Sequence, residues 1–165
     1  MYYLGVDVGS VSTDLVLVDE KTNVIEKIYL RTKGKPINAI QEGFKILKNK
    51  YDSNEIKAVG TTGSGRQISS TLIGADSVKN EITAHSIAAL EISNDVRTII
   101  EIGGQDSKII TIKDGIVTDF AMNTVCAAGT GSFLDRQAER LDIPIEDFGD
   151  YALKAKTSVR IAGRC

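Results

Sequence analysis

The sequence predicts an α/β fold built from two related units. Strand-like apolar segments alternate with amphipathic helical segments, which is typical of a mixed sheet covered by helices. The second observation is an internal repeat, because a strand ending in an acid and a glycine turn occurs near the start and again after residue 95. We expect the first unit to span residues 1–95 and the second to span residues 96–165.

The first unit opens with three strand-like segments joined by short polar turns, at residues 2–8, 15–18 and 24–30, which predicts an antiparallel meander. Pro36 then begins a helix whose apolar residues recur at three- and four-residue steps. A buried strand is predicted at residues 56–60. Two helices follow, at residues 67–72 and, behind an Asn80 cap, at residues 81–92.

The second unit repeats this beginning. Strands are predicted at residues 97–102, 107–112 and 116–120, and a helix at 132–141. At a constant offset of 94 positions, Asp7-Val8-Gly9-Ser10 matches Glu101-Ile102-Gly103-Gly104. We therefore expect the two acid–glycine turns to face each other across a shared cleft.

Composition argues against several classes of function. The net charge of −2 gives no electrostatic reason to expect nucleic acid or an acidic membrane as a partner. No apolar run approaches the length of a membrane span, and the N-terminus lacks the basic segment of a signal peptide. The two cysteines, Cys126 and Cys165, suit reduced thiols, so we expect a cytoplasmic protein.

The first acid–glycine turn predicts a site for a phosphate and its metal ion. Residues 5–14 read GVDVGSVSTD, so the strand delivers Asp7 to a glycine turn that is followed by hydroxyls at Ser10, Ser12 and Thr13. The glycine lets backbone N–H groups approach an anion, and the carboxylate can hold Mg²⁺ through water. For this turn taken alone, a plain hairpin end is the alternative.

The second turn carries more side chains suited to catalysis. Glu101, Gln105 and Asp106 surround Gly103 and Gly104. Hydrolysis of a phosphoanhydride needs a metal ion, phosphate contacts and a positioned water. Acid and amide side chains can orient that water, so we predict that these three residues are catalytic together with the acid of the first turn.

A third motif, Gly129-Thr130-Gly131, precedes the last predicted helix. A helix N-terminus presents N–H groups and the positive end of the helix dipole, which favour an anion. Just upstream, Cys126 is either a packed apolar residue or a metal ligand. Two cysteines cannot complete a four-cysteine set within one chain, but two chains around a two-fold axis can. A cluster that bridges a dimer is the interpretation in which Cys126 and Cys165 both have a role.

Two other polar segments, around His85 and Arg66, have no assigned function from the sequence. His85 shares a helical face with Ile82 and Ala89, so we expect it to be packed and hydrogen-bonded. Arg66 follows Gly63-Ser64-Gly65, which is either another phosphate turn or a plain loop.

Together the motifs resemble a known family, the ATP-dependent activators of 2-hydroxyacyl-CoA dehydratases in the BadF/BadG/BcrA/BcrD ATPase group. The resemblance runs the length of the chain and is carried by GVDVGSVSTD at 5–14, EITAH at 81–85, EIGGQDSK at 101–108, CAAGTGSFLD at 126–135 and Arg164-Cys165. It implies the actin-like ATPase fold of actin, sugar kinases and heat-shock chaperones. That fold has two RNase H-like halves with ATP between them.

The resemblance also implies cofactors and partners. It implies a homodimer that shares one 4Fe–4S cluster, with Cys126 and Cys165 of each subunit as its ligands. Members of the family receive an electron from ferredoxin or flavodoxin. They bind ATP with Mg²⁺, hydrolyse it to ADP, and pass the electron at lower potential to a dehydratase or reductase partner.

Carried over by position, the resemblance assigns ATP and phosphate binding to two loops. Their residues are Gly9, Ser10, Val11, Ser12, Thr13 and Asp14 in the first loop, and Gly103, Gly104 and Gln105 in the second, with Gly129, Thr130 and Gly131 nearby. Asp7 and Glu101 are implied to handle metal and water.

Two departures from the family pattern bear on function. Many relatives have Lys where this chain has Asp14, which predicts that a phosphate-facing cation is either missing or supplied elsewhere. Relatives also continue beyond the Arg-Cys pair, so we expect a fragment whose second half is incomplete. Such a fragment is expected to bind ATP weakly and not to assemble the cluster.

Two other functions fit the turns. A phosphotransferase of the sugar-kinase type keeps the turns and treats the cysteines as packing residues. A non-catalytic nucleotide-sensing module, whose halves hinge on ligand binding, predicts nucleotide-dependent stability without turnover.

Overall fold

The computed structural model describes residues 1–123 and 129–159. Within these ranges the strands are β1 Tyr2–Val8, β2 Ser12–Asp19, β3 Val24–Arg31, β4 Ile56–Thr62, β5 Ser77–Val78, β6 Thr98–Ile102, β7 Ser107–Lys113 and β8 Ile116–Met122. The helices are α1 Pro36–Lys48, α2 Arg66–Ile73, α3 Glu81–Ile92, α4 Gly131–Arg140 and α5 Ile145–Lys154, with a 3₁₀ turn at Ser53–Glu55.

The first five strands form one mixed sheet in the order β3-β2-β1-β4-β5. β1, β2 and β3 are antiparallel neighbours, which confirms the predicted meander. β4 returns through α1 to pair with β1 in parallel, and β5 then pairs with β4. The carboxyl ends of β1 and β4 therefore lie side by side, with Asp7 opposite Thr62.

One face of this sheet packs against α1 to form the core. Side chains alternate between faces along a strand, and Leu4, Val6 and Val8 of β1 are buried while Asp7 between them is only partly buried. Leu15 of β2 lies under α1, where a Cβ atom at Gly43 would overlap its side chain, so glycine there lets the helix approach the sheet. Asp7 and its cross-strand partner Asp14 consequently lie on the face away from α1.

The second sheet has the order β6-β7-β8 and is antiparallel throughout. Its first hairpin repeats that of the first sheet residue for residue, since Asp7 faces Asp14 in one and Glu101 faces Lys108 in the other. Both turns are closed by the same hydrogen bond, from Gly9 N–H to Ser12 O and from Gly103 N–H to Asp106 O, each 2.8 Å long. The predicted internal repeat is confirmed at this level.

The buried face of the second sheet is turned toward α3. Lys108, Ile110 and Ile112 of β7 are buried on this face, and α3 lies against β7. Because cross-strand partners share a face, Glu101 projects the same way as Lys108. Both charged residues thus face α3.

Several boundaries differ from the sequence prediction. β2 begins at Ser12, three residues earlier than predicted, because its pairing with β1 continues up to the glycine turn. The short β5 and the helix α5 were not predicted. The start of α5 could have been predicted from the sequence, because Pro144 precedes a first turn that contains Glu146 and Asp147. None of the helices in the described ranges is long and apolar enough to cross a membrane.

Candidate functional site

A cleft of about 550 Å³ lies between the two acid–glycine turns. It brings together most of the residues that the sequence singles out: Asp7, Gly9, Ser10, Val11, Ser12, Asp14, Glu101, Gly103, Gly104, Gln105 and Asp106. The two turns come from different sheets and form opposite walls of the cleft. This geometry matches the expectation that both turns face a shared cleft.

The two turns touch directly where Val11 meets Gly104. A Cβ atom at Gly104 would lie 2.5 Å from Val11 Cγ2 and 2.6 Å from Val11 Cβ, so only glycine permits this approach. The side chain of Val11 therefore packs on the backbone of the second turn. This contact fixes how far apart the two turns lie.

Protein donors hold the carbonyl groups of both turns. Thr32 donates its backbone N–H to Val11 O at 2.8 Å and its hydroxyl to Gly9 O at 3.0 Å. In the second turn, the N–H groups of Gly131 and Ser132 donate to Gly103 O at 2.9 Å and Gly104 O at 2.8 Å. An anion binds N–H groups and is repelled by carbonyl oxygens, so engaging these four carbonyls favours anion binding at the turns.

A third turn, between β4 and α2, supports Asp7. Gly63 has a φ of +86°, and a Cβ atom there would overlap Asp7 Oδ1 and lie 2.6 Å from Val8 O. Gly65 N–H donates to Val8 O at 2.8 Å, which ties this turn to the end of β1. Gly63 and Ser64 also line the cleft, so this segment belongs to the site rather than to a remote loop.

The Asp7 and Asp14 carboxyl groups face each other across β1 and β2. Burial raises the pKa of Asp7, and the nearby carboxylates of Asp14, Glu81 and Glu101 raise it further, while His85 opposes the increase. Burial also raises the pKa of Asp14, against a hydrogen bond from the Ser12 hydroxyl at 2.9 Å. This corner of the cleft therefore favours a bound cation.

The opposite wall carries an ion-pair network centred on Lys108. Its Nζ lies 2.8 Å from Asp106 Oδ1, 3.0 Å from Glu101 Oε2 and 3.7 Å from Glu81 Oε1. Burial alone would lower the pKa of Lys108, but the hydrogen bonds to Asp106 and Glu101 outweigh it, and the pKa is raised. Lys108 is thus a buried, charged ammonium group.

Helix α3 contributes two side chains to the cleft. Glu81 and His85 are four residues apart, so they lie on one helical face. Asn80 caps this helix by accepting the N–H of Thr83 at 2.8 Å, which places Glu81 in its first turn. His85 lines the cleft near Asp7, which differs from the expectation of a packed histidine.

Some predicted site residues lie away from the cleft. Thr13 is buried, and its hydroxyl is hydrogen-bonded to Thr32 Oγ1 at 2.9 Å. Residues 129–131 do not line the cleft, because the start of α4 is docked on the back of the second turn. Thr130 is buried and donates its hydroxyl to Gly104 O at 3.0 Å. Cys126 and Cys165 lie outside the described residues.

The donor set fits Mg²⁺ together with phosphates better than a metal ion held by the protein alone. Within the described ranges, no group of three or more His, Cys, Asp or Glu side chains is arranged to hold a metal ion. Mg²⁺ usually keeps several waters and uses one or two carboxylates plus substrate phosphates. Two observations agree with such a site. Asp7 is surrounded by other carboxylates. The buried hydroxyl of Thr62, its neighbour on β4, has no hydrogen-bond partner among the described residues.

Sequence reasoning did not assign Lys108 or Glu81 to the site and left the role of Gly63 open, although all three lie in quoted motifs. For Lys108 a signal was present, because position 108 is the repeat counterpart of Asp14. The local sequence does not place Glu81 and Gly63 in the site, because α3 and the turn after β4 reach the cleft only in the folded protein.

Comparison with known proteins agrees with this geometry. The chain is 35% identical to the (R)-2-hydroxyglutaryl-CoA dehydratase activating ATPase of Acidaminococcus fermentans, over 100% of this chain and 63% of that protein. Among solved structures, the activator of the 2-hydroxyisocaproyl-CoA dehydratase from Clostridium difficile with bound ADPNP superposes with a TM-score of 0.83. That structure is 29% identical over 98% of this chain and 60% of its own. The chain therefore spans less than two thirds of the length of these relatives.

The fold extends beyond these activators. A ROK family glucokinase from Streptomyces griseus superposes with a TM-score of 0.55 at 13% identity, over 78% of this chain and 50% of its own, which bears on the fold alone. The expected actin-like ATPase fold is thereby confirmed. A model of the BadF/BadG/BcrA/BcrD ATPase family matches residues 4–165. The chain belongs to that family.

Proposed function

We propose that the natural protein is an ATP-dependent electron-transfer activator. In this proposal it hydrolyses ATP and passes a low-potential electron from an iron–sulfur cluster to a 2-hydroxyacyl-CoA dehydratase or a related reductase. The observation that carries the proposal is the pair of acid–glycine turns facing one cleft in a chain of this ATPase family. Relatives whose names describe dehydratase activators support the choice of partner.

In the ATPase half of the proposal, the backbone N–H groups of the two glycine turns bind the phosphates. Asp7 would hold Mg²⁺ through water, and that ion would stabilise the charge that develops on the transferred phosphoryl group. Gln105, with Glu101 and Asp106, orients the attacking water from the second turn. These roles use residues that line the cleft in the folded chain.

In the electron-transfer half, Cys126 and Cys165 of two subunits hold one 4Fe–4S cluster. This part rests on the sequence and on the family, since both cysteines lie outside the described residues. Ferredoxin or flavodoxin is the proposed donor. We propose the division into a unit of residues 1–95 and a unit beginning at residue 96 on the same basis, supported by the two separate sheets.

The test uses the natural full-length protein, purified without oxygen. We expect a brown dimer with about four iron atoms per dimer and an ATPase activity. Two variants separate the halves of the proposal: Asp7→Asn should lose ATP hydrolysis and keep the iron, whereas Cys126→Ser should lose the iron. An iron-free protein with normal ATPase activity would overturn the electron-transfer half.

The same assay addresses the competing functions. ATP consumption that rises with a sugar acceptor would favour a phosphotransferase instead. Nucleotide binding that stabilises the protein without any turnover would favour a sensing module.

A further inference from the structure

The walls of the cleft carry an unusual excess of negative charge for a site that would bind a nucleotide. Five carboxylates line it, those of Asp7, Asp14, Glu81, Glu101 and Asp106. Among the cleft-lining residues that the structure describes, Lys108 is the sole Lys or Arg. A triphosphate entering this cleft therefore meets one fixed lysine charge and several repulsive ones.

Lys108 lines the cleft and has hydrogen-bonding capacity beyond its two short bonds. An ammonium group has three N–H donors. Two of them are used by Asp106 Oδ1 at 2.8 Å and Glu101 Oε2 at 3.0 Å. The third neighbour, Glu81 Oε1, lies at 3.7 Å, an ion-pair distance that is too long for a hydrogen bond. The two short bonds fix the position of the ammonium group, and the third donor has no hydrogen bond to the described residues.

The two repeated hairpins differ in the residue that faces the acid. In the first hairpin the residue opposite the acid is Asp14, and in the second hairpin the residue opposite the acid is Lys108. The first wall thus has two acids face to face, whereas the second has an acid and a base. The first hairpin thus has an acid at position 14, and the second has a cation at the matching position.

We propose that Lys108 binds the terminal phosphate of a nucleoside triphosphate, exchanging its weak ion pair with Glu81 for that contact. The inference rests on the proposed nucleotide function and names a residue that distinguishes triphosphate from diphosphate. Glu81 begins α3 in the first unit, and its other oxygen lies 3.7 Å from Arg66 Nη1. Glu81 therefore still has the Arg66 guanidinium as an ion-pair partner when Lys108 binds the phosphate.

The experiment measures the dissociation constants of ADPNP and of ADP, each with Mg²⁺, by calorimetry on the natural full-length protein. Lys108→Met should weaken ADPNP binding by about tenfold or more, the scale of a charge-assisted hydrogen bond, while ADP binding changes much less. Glu81→Gln removes the competing charge and keeps both short bonds of Lys108. It should tighten ADPNP binding relative to ADP.

Lys113→Met is the matched control, because Lys113 lies on the same strand but is exposed. It should leave both dissociation constants unchanged. An equal loss for ADPNP and ADP in Lys108→Met, or an unchanged ratio of the two constants, would overturn the inference while leaving nucleotide binding intact. If Lys108→Met does not fold, the ratio in Glu81→Gln decides alone. A wild-type protein that binds neither nucleotide would overturn the proposed function together with this inference.

Discussion

Val11 of the first glycine turn packs directly on Gly104 of the second, at a distance that leaves no room for a Cβ atom at position 104. The two residues belong to hairpins of different sheets, so the contact of the Val11 side chain with the Gly104 backbone links the two walls of the cleft. The spacing between the two glycine turns is therefore set by the Val11 side chain packed on a residue without a side chain.

Gly104→Ala should disturb this spacing. The added methyl group would lie 2.5 Å from Val11 Cγ2, and overpacking of this kind typically costs ~1–3 kcal/mol of folding free energy. Urea unfolding should show this loss, and nucleotide affinity should fall with it. The double variant Val11→Gly/Gly104→Ala should recover part of both, because it removes the two closest colliding atoms, Val11 Cγ2 and Val11 Cβ.

Gly149→Ala serves as the control for that experiment. A Cβ atom at this position in α5 would have no neighbour within 4 Å, so alanine should be neutral or stabilising in the helix. If Gly104→Ala were as stable as Gly149→Ala, the contact between the turns would not be tight.

Gly63→Ala should impair catalysis more than stability alone explains. Gly63 has a positive φ, so alanine is strained there, and its Cβ atom would also overlap Asp7 Oδ1. Gly74 has a comparable φ of +66° but no neighbour within 4 Å of an added Cβ atom. Gly74→Ala thus reproduces the backbone strain, ~1 kcal/mol, without the collision. ATP hydrolysis should fall at least about tenfold in Gly63→Ala and stay near normal in Gly74→Ala; equal activities would show that Gly63 does not position Asp7.

The repeat made much of the fold predictable from sequence. Two strands that each end in an acid and a glycine, followed by matching second strands, predict two hairpins with the same register, and Asp7–Asp14 and Glu101–Lys108 are such pairs. Local signals also predicted α1 behind Pro36 and α3 behind Asn80. These features depend on nearby residues, which sequence patterns describe well.

The parts that sequence missed depend on contacts between distant segments. Nothing local to Gly63 shows that it must leave room for Asp7, because the two residues meet only when β4 pairs with β1. Similarly, residues 129–131 have the composition of an anion site. In the fold, their helix start is instead used to hold the carbonyls of Gly103 and Gly104.

Asp14→Lys should strengthen nucleotide binding. Asp14 faces Asp7 across the hairpin, and a lysine there would give the first wall the acid–base pair that Glu101 and Lys108 form on the second. One added charge-assisted contact corresponds to ~10-fold tighter ATP binding. Asp14→Asn is the control, since it removes the negative charge without adding a cation. The prediction is wrong if calorimetry finds that Asp14→Lys binds ATP no better than Asp14→Asn.

Asp7→Asn should make the nucleotide-free protein more stable at neutral pH while abolishing ATP hydrolysis. Burial, then the charge of Asp14, raises the pKa of Asp7 above its ordinary value of 3.8. The folded state therefore holds a proton on Asp7 more tightly than the unfolded state does. At pH 7 the ionised carboxylate reduces the free energy of unfolding, and asparagine removes this penalty.

The pH dependence of the stability difference between Asp7→Asn and the wild type tests the direction of this effect. As the pH falls through the raised folded pKa of Asp7 toward 3.8, the wild-type carboxylate becomes protonated and its penalty disappears. The stability advantage of Asp7→Asn should therefore be largest at neutral pH and should shrink on acidification. Asp19 is the opposite case, because the hydrogen bond from Asn23 lowers its pKa, so that Asp19→Asn should not stabilise the protein at pH 7. Urea midpoints measured from pH 7 down to pH ~4 would show whether the ionised Asp7 carboxylate lowers the free energy of unfolding. An Asp7→Asn variant that is less stable than the wild type at pH 7 would contradict this prediction.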